Sequence, residues 1–381
     1  MIRPLFIFGT RPEAIKMAPV VLETKKRSHI FETIVCVTGQ HREMLDQVNR
    51  YFEIVPDIDL QLMQPNQTLA ALTSRCLAEV DRVIAETKPT FVLAQGDTTT
   101  VLAASLAAFY NKVSFVHVEA GLRSGNLFSP WPEEMNRRVS SIVAARHCAP
   151  TQRAMNALLL ENIPPAMIRM TGNTVIDALI YSVERERENA VRWEVKYPFL
   201  GHRPMILITA HRRESFGQGF ETLCSAFRQL ALQFTDHVFI YPVHLNPHVR
   251  EPVFRLLGEL PNFHLIEPVA YPEFVWLMDR SFVILSDSGG VQEEAPSLGK
   301  PVLVLRDTTE RPEAVEIGAT KLVGTNEKLI VETAGKLLTD RSFYDSFRGK
   351  ANPYGDGMAA KRIVDWLAEP AASARFTEPV S

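Results

Sequence analysis

Residues 282–305 read FVILSDSGGVQEEAPSLGKPVLVL, and no other stretch is as informative about the fold of this chain. It contains an apolar run, a Gly-Gly turn, a short polar segment with two adjacent glutamates, and a second apolar run. Short apolar runs separated by a helix are typical of buried parallel strands. The stretch therefore predicts a strand, a short helix and a second strand of one parallel sheet.

The turn Ser288-Gly289-Gly290 joins the first of these strands to the helix. Glycine leaves backbone N–H groups uncovered and a helix N-terminus carries partial positive charge, so a diphosphate can bind there. Glu294, one turn further on, is placed to accept hydrogen bonds from a ribose diol. An ordinary strand-to-helix turn has the same composition, because glycine permits tight backbone and serine caps helices. The turn alone leaves both interpretations open.

The alternation of strand and helix extends through both halves of the chain. Strands are predicted at 5–8, 34–38, 91–94, 114–118, 205–209, 238–241, 264–266, 283–285 and 302–305. Helices are predicted from Pro12 and at 41–51, 69–86, 101–110 and 133–145, and a charged helix at 184–192 precedes the second half. We therefore expect an α/β fold with two doubly wound, Rossmann-like domains facing a cleft, with ligands at the carboxyl ends of the strands.

Composition excludes several classes of partner. The chain has 381 residues, 46% of them apolar and 22% charged, as in an ordinary soluble globular protein. Because 41 basic residues face 44 acidic ones, neither nucleic acid nor an anionic membrane is an expected partner. The four scattered cysteines indicate buried free thiols in a reducing compartment. No segment has the length of a signal peptide or a membrane span, so we expect a cytoplasmic protein.

The segment from Gly9 to Lys16 directly follows the first predicted strand. Pro12 fits the first turn of a helix, where its missing N–H costs nothing. Arg11 lies beside the positive end of that helix, which is unfavourable and indicates an anionic partner. Lys16 follows one turn later. The alternative is that Arg11 pairs with Glu13 or with a neighbouring loop.

Three acids follow strands of the first half or begin a nearby helix: Asp97, Glu119 and Glu133. Asp97 also suits a helix N-cap, and Glu133 also suits the first turn of a helix. Glu119 is harder to explain structurally, because an apolar strand carries it to a buried position where an unpaired carboxylate is costly. Carboxylates that converge at one sheet edge raise each other's pKa and can then exchange protons.

Two basic groups belong to the second half. His211 directly follows the strand predicted at 205–209, together with Arg212 and Arg213. Its position opposite the acids favours a proton donor to a departing phosphate oxygen over a helix cap or a core residue. Arg311 is predicted near the glycine turn, and arginine suits a forked grip on phosphate or sugar oxygens.

These motifs occur together, in one order, in a single family. The matching segments are 9–16, 96–100, 117–123, 129–137, 211–215, 241–247 and 287–301. The chain resembles the non-hydrolysing UDP-N-acetylglucosamine 2-epimerases of bacteria over nearly its whole length. The resemblance implies the glycosyltransferase-B fold, with a first domain at 1–170 that carries the catalytic acids and a UDP-binding domain at 171–357. It also implies that the last helix, at 358–369, packs back on the first domain.

Members of this family interconvert UDP-GlcNAc and UDP-ManNAc, supplying ManNAc units for envelope polysaccharides, and homodimers are expected. The resemblance implies catalytic roles for Asp97, Glu119, Glu133 and His211, and UDP contacts by Arg11, Lys16, Ser288, Gly289, Gly290, Glu294 and Arg311. Some members are activated by a second UDP-GlcNAc, and the matching region contains Gln40, His41, Glu43 and His244. Two positions depart from the family pattern: Gln95, where a close relative has histidine, and Glu43, where regulated members have glutamine.

The residues are consistent with chemistry that needs neither a metal nor a cofactor. Carbon 2 of the sugar has no activating carbonyl, and the chain has no Gly-x-Gly-x-x-Gly fingerprint for a nicotinamide. Expelling UDP across C1–C2 gives a 2-acetamidoglucal, and re-addition from the other face inverts carbon 2. The alternatives are a hydrolysing 2-epimerase that releases UDP and ManNAc, a retaining glycosyltransferase of the same fold, and a non-enzymatic nucleotide-sugar sensor.

Overall fold

The computed structural model describes residues 1–39, 42–64 and 67–369. Its strands are β1 Pro4–Phe8, β2 Ile34–Val37, β3 Ile58–Asp59, β4 Phe91–Gln95, β5 Ser114–Val118, β6 Arg146–Ala149, β7 Ile168–Met170, β8 Met205–Thr209, β9 Val238–Pro242, β10 Phe263–Ile266, β11 Val283–Ser286, β12 Val302–Val304 and β13 Thr320–Leu322. Its helices are α1 Arg11–Lys26, α2 Arg42–Tyr51, α3 Leu69–Thr87, α4 Thr99–Tyr110, α5 Glu133–Val143, α6 Gln152–Leu160, α7 Thr174–Glu188, α8 Ala190–Lys196, α9 Gln218–Gln233, α10 Pro247–Leu257, α11 Tyr271–Arg280, α12 Gly289–Glu294, α13 Pro312–Glu316, α14 Glu327–Thr339, α15 Arg341–Asp345 and α16 Ala359–Ala368. Short 3-10 turns lie at Pro165–Met167, Arg213–Ser215 and Ala295–Leu298.

The chain divides into two compact units. The first contains Met1–Ala178 and the segment that starts at Tyr354, and the second contains Leu179–Pro353. The first unit has a seven-stranded sheet in the order β3-β2-β1-β4-β5-β6-β7, and the second has a six-stranded sheet in the order β10-β9-β8-β11-β12-β13. Every strand pair in both sheets is parallel. The predicted α/β class with two doubly wound domains is confirmed.

The central strands are apolar because helices cover both of their faces. Every residue of β1 and of β8 is buried. In the second unit, one apolar cluster includes α9 and α14, and another on the opposite face includes α11 and Trp193. This arrangement explains why these strands appear in the sequence as unbroken apolar runs rather than as alternating patterns.

Each sheet has a point where the strand order reverses. In the first unit the reversal lies between β1 and β4, and in the second between β8 and β11. Loops at such a point separate, because consecutive helices leave on opposite faces of the sheet, and ligands of open α/β sheets bind there. Arg11 and Asp97 follow β1 and β4, and His211 and Ser288 follow β8 and β11. The topology thus places predicted site residues of each unit at its own reversal.

The final helix α16 belongs to the first unit and packs against α1. Asp177 accepts hydrogen bonds from the N–H groups of Ala359 and Ala360, at 3.2 and 2.8 Å, and so caps the start of α16. Arg27 forms an ion pair of 2.6 Å with Asp365 on the same helix. These contacts attach α16 to the start of α7 and to the end of α1, which are both distant from it in sequence.

One predicted helix was wrong. The charged helix expected at 184–192 is two helices, because α7 ends at Glu188 and α8 begins at Ala190. The side-chain amide of Asn189 donates to the carbonyl oxygen of Arg185 at 2.8 Å, a local bond that competes with continued helix. The four cysteines are confirmed as buried free thiols. Within the described ranges, no helix combines the length and apolarity that crossing a membrane requires.

Candidate active site

The turn between β1 and α1 is organised by Glu13 rather than by Arg11. The Glu13 carboxylate accepts hydrogen bonds from the N–H groups of Gly9 and Thr10, at 3.0 and 2.7 Å, and from the Thr98 hydroxyl at 2.6 Å. Burial raises the pKa of Glu13, although these hydrogen bonds oppose the shift. A methyl group at Gly9 would collide with the Thr38 hydroxyl, so only glycine fits there. Glu13 therefore ties the loops after β1 and β4 together.

Arg11 is exposed on this turn and has no hydrogen bond or ion pair with the part of the chain that the structure describes. Its alternative partner, Glu13, is engaged with backbone N–H groups and with Thr98. The guanidinium is thus available to an anion beside the positive end of α1. Lys16 instead forms an ion pair with Glu119, at 2.6 Å between Nζ and Oε1. Its role in UDP binding stays a prediction.

Glu119 is held at the end of β5 by several donors. Its Oε1 accepts from Lys16 and from the Asn173 amide at 2.9 Å, and its Oε2 accepts from the Gln95 amide. The residue is 7% exposed, so these bonds replace the water that a buried carboxylate has lost. Its φ of 61° lies in the left-handed region, which is uncommon for a residue other than glycine. Such a conformation persists where surrounding contacts enforce it.

Asp97 follows β4, the strand next to the one that Glu119 follows, and pairs with a different cation. The Arg137 guanidinium contacts Asp97 Oδ2 through two nitrogens, at 2.6 and 2.9 Å. The Asn136 amide donates to the backbone carbonyl of Asp97 at 2.8 Å. Asp97 is not the helix cap that the sequence left open, because the hydroxyl of Thr98 caps α4. The carboxylate of Asp97 is thus held by a side chain of α5, the helix that also carries Glu133.

Glu133 begins α5 and lies one helical turn before Arg137, on the same face. Its Oε2 is buried and has no hydrogen-bond partner among the described residues. Its neighbour Glu134 is completely buried and structural. Burial raises the pKa of Glu134, but the Ser124 N–H and the guanidinium groups of Arg137 and Arg138 outweigh burial and lower it. Of two adjacent glutamates, only Glu133 has an oxygen left for a ligand.

A buried histidine supports the loop that carries Asp97. Nε2 of His117 lies 2.7 Å from the carbonyl oxygen of Gly96, and because a carbonyl only accepts, Nε2 carries the proton. Burial lowers the pKa of His117 to about 4, so the ring is neutral near pH 7. The same Gly96 lies against Glu119, since a methyl group added there would be 3.7 Å from Glu119 Oε2. His117 thus fixes the backbone of Gly96, the residue that precedes Asp97 and lies against Glu119.

In the second unit, the glycine turn opens α12 without a side-chain cap. The Ser288 hydroxyl makes no capping bond, which sets this turn apart from an ordinary serine-capped one. Methyl groups added at Gly289 and Gly290 would meet only the Arg311 guanidinium, the Ser288 hydroxyl and a Glu294 oxygen, at 3.4 Å or more. Neither glycine has a positive φ. The glycines therefore leave open space above backbone N–H groups.

Arg311 is directed toward this turn by a buried glutamate. The Nε of Arg311 donates to Glu293, which is 2% exposed. The guanidinium lies near Gly289, since a methyl group added to that glycine would be 3.9 Å from Cζ of Arg311. The Thr309 hydroxyl accepts from the Arg311 N–H at 3.0 Å and donates to Gln292 at 2.6 Å. Glu294 is 8% exposed and lies beside Gly290. Ser288, Gly289, Gly290, Glu294 and Arg311 thus form one group.

His211 lies next to this group, in the loop after β8. The buried carboxylate of Asp287 accepts the backbone N–H groups of His211 and Arg212, at 2.6 and 2.7 Å. The ring of His211 stacks on that of His244, with centroids 5.4 Å apart. Burial lowers the pKa of His211, His244 and Arg212 act in the same direction, and Asp287 opposes them. The lowered pKa favours the neutral imidazole of His211 at pH 7, and the Asp287 carboxylate favours its protonated form.

The candidate activator residues are only partly observed. Gln40 and His41 lie outside the described residues, Glu43 is exposed in the first turn of α2, and His244 stacks on His211. Their regulatory role stays a prediction. Over the described ranges, no group of three or more His, Cys, Asp or Glu side chains is arranged to hold a metal ion.

Sequence reasoning missed the residues that hold the candidate catalytic groups. These are Asn173 and Gln95 at Glu119, Arg137 at Asp97, Glu293 at Arg311 and Asp287 at His211. Arg137 had a local signal, since it follows Glu133 at helical spacing, and Asp287 and Glu293 flank the glycine turn. Asn173 had no local signal in the sequence, because it lies 54 residues from Glu119.

This chain is similar to known proteins over almost its whole length. The sequence profile of the family described as UDP-N-acetylglucosamine 2-epimerase matches residues 23–368. The UDP-N-acetylglucosamine 2-epimerase of Escherichia coli strain K12 is 54% identical over 367 residues, 95% of this chain and 97% of that protein. The crystal structure of UDP-GlcNAc 2-epimerase from Neisseria meningitidis bound to UDP-GlcNAc is 51% identical, with a TM-score of 0.88 over 96% of this chain and 99% of that chain.

A more distant crystal structure, that of Methanocaldococcus jannaschii UDP-GlcNAc 2-epimerase in complex with UDP-GlcNAc and UDP, is 32% identical. Its TM-score is 0.78, over 96% of this chain and 99% of that chain. The likeness confirms the glycosyltransferase-B type of fold. Profile, identity and fold agree along almost the entire chain, which belongs to the UDP-N-acetylglucosamine 2-epimerase family.

Proposed function

We propose that this protein catalyses the reversible epimerisation of UDP-GlcNAc to UDP-ManNAc without net hydrolysis. The observation that carries the proposal is the group of three acids, Asp97, Glu119 and Glu133, in the loops and helix around the reversal between β1 and β4. A binding protein for nucleotide sugars needs no such group. An epimerase needs two proton-transfer groups, because the proton leaves carbon 2 on one face and returns on the other.

The proposed reaction proceeds by elimination and re-addition. A carboxylate takes the C2 proton, the electron pair of that C–H bond forms the C1=C2 double bond, and the C1–O bond breaks with its electrons on UDP. The products of this half-reaction are a 2-acetamidoglucal and UDP. In the second half, a UDP oxygen attacks C1 and a carboxylic acid protonates C2 from the opposite face. No oxidant or reductant is consumed.

The contacts of the three acids support a division of labour. Glu119 is engaged through both oxygens by Lys16, Gln95 and Asn173, and Asp97 is engaged by Arg137. Glu133 retains a buried oxygen with no partner in the described part of the chain. A carboxylate oxygen that accepts no hydrogen bond from the protein is available to a proton of a bound ligand. We therefore assign Glu133 to one C2 proton transfer and Asp97 or Glu119 to the other.

The second unit is proposed to bind and release UDP. Backbone N–H groups of the glycine turn and the Arg311 guanidinium neutralise the diphosphate, and Glu294 accepts from the ribose hydroxyls. Arg11 and Lys16 of the first unit are further proposed phosphate ligands. His211 donates a proton or a hydrogen bond to the phosphate oxygen as the C1–O bond breaks. The nucleotide thus leaves as a stabilised anion.

Incubation with UDP-GlcNAc in deuterated water, followed by NMR, separates this function from its alternatives. We expect UDP-ManNAc that carries deuterium at carbon 2. Because the proposed reaction is reversible, the UDP-GlcNAc that remains should also acquire deuterium at carbon 2. Free ManNAc together with UDP would instead identify a hydrolysing epimerase. Transfer only after addition of an acceptor would identify a glycosyltransferase. An unchanged spectrum with retained UDP-GlcNAc binding would identify a sensor.

Two further proposals follow the family resemblance. A second UDP-GlcNAc activates the enzyme through Gln40, His41, Glu43 and His244, and the chain forms a homodimer that supplies ManNAc units in the cytoplasm for envelope polysaccharide. If activation operates, UDP-ManNAc alone will turn over slowly until a trace of UDP-GlcNAc is added. Light scattering coupled to size exclusion should give twice the mass of one chain, and the mass of a single chain would contradict the homodimer.

A further inference from the structure

We propose that Asp287 is a positioning residue for His211, which it holds through both the backbone and the imidazole ring. The inference rests on the proposed function, in which His211 acts on the departing phosphate oxygen. Asp287 directly follows the strand β11 and directly precedes the glycine turn. It is completely buried, whereas the His211 side chain is 42% exposed. A buried carboxylate in an apolar sheet is costly unless its hydrogen bonds are satisfied.

One oxygen of Asp287 fixes the course of the backbone at His211. Oδ2 accepts the N–H groups of His211 and Arg212, and the N–H of Asp287 donates to the carbonyl oxygen of Thr209 at 3.0 Å. The hydroxyl groups of Thr209 and Ser286 are 2.6 Å apart on the same two strands. The loop after β8 is therefore fastened to the end of β11 at several points. The two backbone N–H groups that Oδ2 accepts explain why a carboxylate is tolerated at this buried position.

The other oxygen has no comparable structural task. Oδ1 is buried, has no hydrogen-bond partner in the described parts of the chain, and lies 3.5 Å from Nδ1 of His211. A small rotation of the imidazole brings this pair within hydrogen-bond distance. A carboxylate facing Nδ1 favours the tautomer with the proton on Nδ1. Nε2 is then the nitrogen left to face the substrate.

Asp287 is also the acid that opposes the loss of charge on His211. The titratable and charged groups that act on this ring are Asp287 directly after β11, His244 from the loop after β9, and Arg212 from its own loop. Burial, His244 and Arg212 lower the pKa of His211, and Asp287 raises it. Without the carboxylate, the protonated ring of His211 would lose its proton at a lower pH. A donor to the leaving phosphate needs that proton.

Three variants and one control test the proposal: Asp287→Asn, His211→Gln, the double variant, and Asp236→Asn. Asparagine can still accept the two backbone N–H groups, but its NH₂ faces Nδ1 and reverses the tautomer. We expect kcat of Asp287→Asn to fall about a hundredfold, with KM changed by less than about threefold. The pH at which activity declines on the alkaline side should move downward. Asp236 pairs with His237 on the surface, so Asp236→Asn should leave the pH profile unchanged.

The double variant should be no slower than His211→Gln, because the two residues act as one unit. The proposal would be overturned if the activity of Asp287→Asn declined at the same alkaline pH as that of the wild-type protein while His211→Gln was strongly impaired. If Asp287→Asn does not fold, ring nitrogen shifts of ¹⁵N-histidine in the wild-type protein, assigned with His211→Gln, give the tautomer directly. In the neutral ring, at a pH above the pKa of His211, a single proton on Nδ1 is expected, and a neutral ring with its proton on Nε2 would overturn the positioning role. Wild-type turnover by His211→Gln, with the proton on Nδ1, would instead refute the catalytic role of His211 in the proposed function.

Discussion

Each acid of the first unit is held in a different way, and these differences separate their expected roles. Glu119 contacts an ammonium and two amides, Asp97 contacts one guanidinium, and Glu133 keeps a buried oxygen unpartnered in the described structure. Carboxylates of similar sequence context therefore have unequal freedom to accept a proton. The same comparison separates Glu133 from Glu134, which is committed to Ser124 and two arginines.

The substitution Glu133→Gln removes the proton acceptor while keeping the shape of the side chain. We expect turnover to fall by about a hundredfold or more, because general acid–base catalysis contributes about that much. UDP-GlcNAc affinity should change little. Glu86→Gln is the control, since Glu86 is an exposed carboxylate that pairs with Arg82 on α3. Turnover of Glu133→Gln near that of the control would remove Glu133 from the mechanism.

The substitution Gly290→Ala tests the glycine turn as a diphosphate site. The added methyl group has 3.4 Å or more to Glu294 and Ser288, so the fold should be retained. It occupies the space above the backbone N–H groups, and we expect UDP to bind about tenfold more weakly, the effect of one lost hydrogen bond. Gly335→Ala is the matched control, because Gly335 lies in α14 and its methyl group would contact only the ring of Phe234. Calorimetry showing equal UDP affinity in both variants would contradict the assignment.

At the scale of single residues, the sequence predicted candidate groups that follow the strands of each sheet but not the partners that hold them. Asp97, Glu119 and His211 could be placed because each lies in the loop that follows an apolar strand of a parallel sheet. Their partners are distant in sequence, as with Arg137, which lies 40 residues from Asp97. The ion pair of Lys16 with Glu119 was also unforeseen, because side-chain pairing depends on the distance between two loops and not on either motif.

At the scale of elements, apolar runs predicted the central strands but not the peripheral ones. The strand β6 reads RHCA and β13 reads TKL, so neither forms an apolar run. The strand β3 has only two residues. Central strands are covered on both faces and must be apolar, whereas strands nearer a sheet edge tolerate polar side chains. The strand order, which places the site, follows from pairings over long distances that no local pattern contains.

The cap of α16 is one of the contacts that hold this helix on the first unit, and its loss should weaken that attachment. Asp177→Ala removes the acceptor for the N–H groups of Ala359 and Ala360, and we expect a loss of about 1 kcal/mol in the free energy of unfolding. Amide exchange in α16 should accelerate. Asp177→Asn retains an acceptor and should have a smaller effect. Asp340→Ala removes the cap of α15 in the second unit, and accelerated exchange of α16 in that control would show that the effect is not local.

For the whole molecule, acid sensitivity of stability should arise partly from His117. In the unfolded chain this histidine titrates near 6.5, whereas burial lowers its pKa in the folded protein to about 4. The unfolded state therefore binds more protons between these values, and the folded state loses about 3 kcal/mol of stability as pH falls through them. Above pH 6.5 the stabilisation is complete.

His117→Gln keeps a donor for the Gly96 carbonyl but does not titrate. Its thermal unfolding midpoint should depend less steeply on pH between 6.5 and about 4 than that of the wild-type protein. His202→Gln, at an exposed position, is the control and should follow the wild-type curve. Parallel curves for all three proteins would mean that His117 does not remain neutral in the fold.

The proposed activity of the whole molecule depends on one event, reversible cleavage between the sugar carbon C1 and the UDP oxygen. Positional isotope exchange tests it directly, with UDP-GlcNAc carrying oxygen-18 only in the bridge between C1 and phosphorus. Free rotation of the departed β-phosphate should move the label into non-bridging positions, which phosphorus NMR resolves. We expect this scrambling in both UDP-GlcNAc and UDP-ManNAc. Epimerised product with all its oxygen-18 still in the bridge would contradict elimination and re-addition.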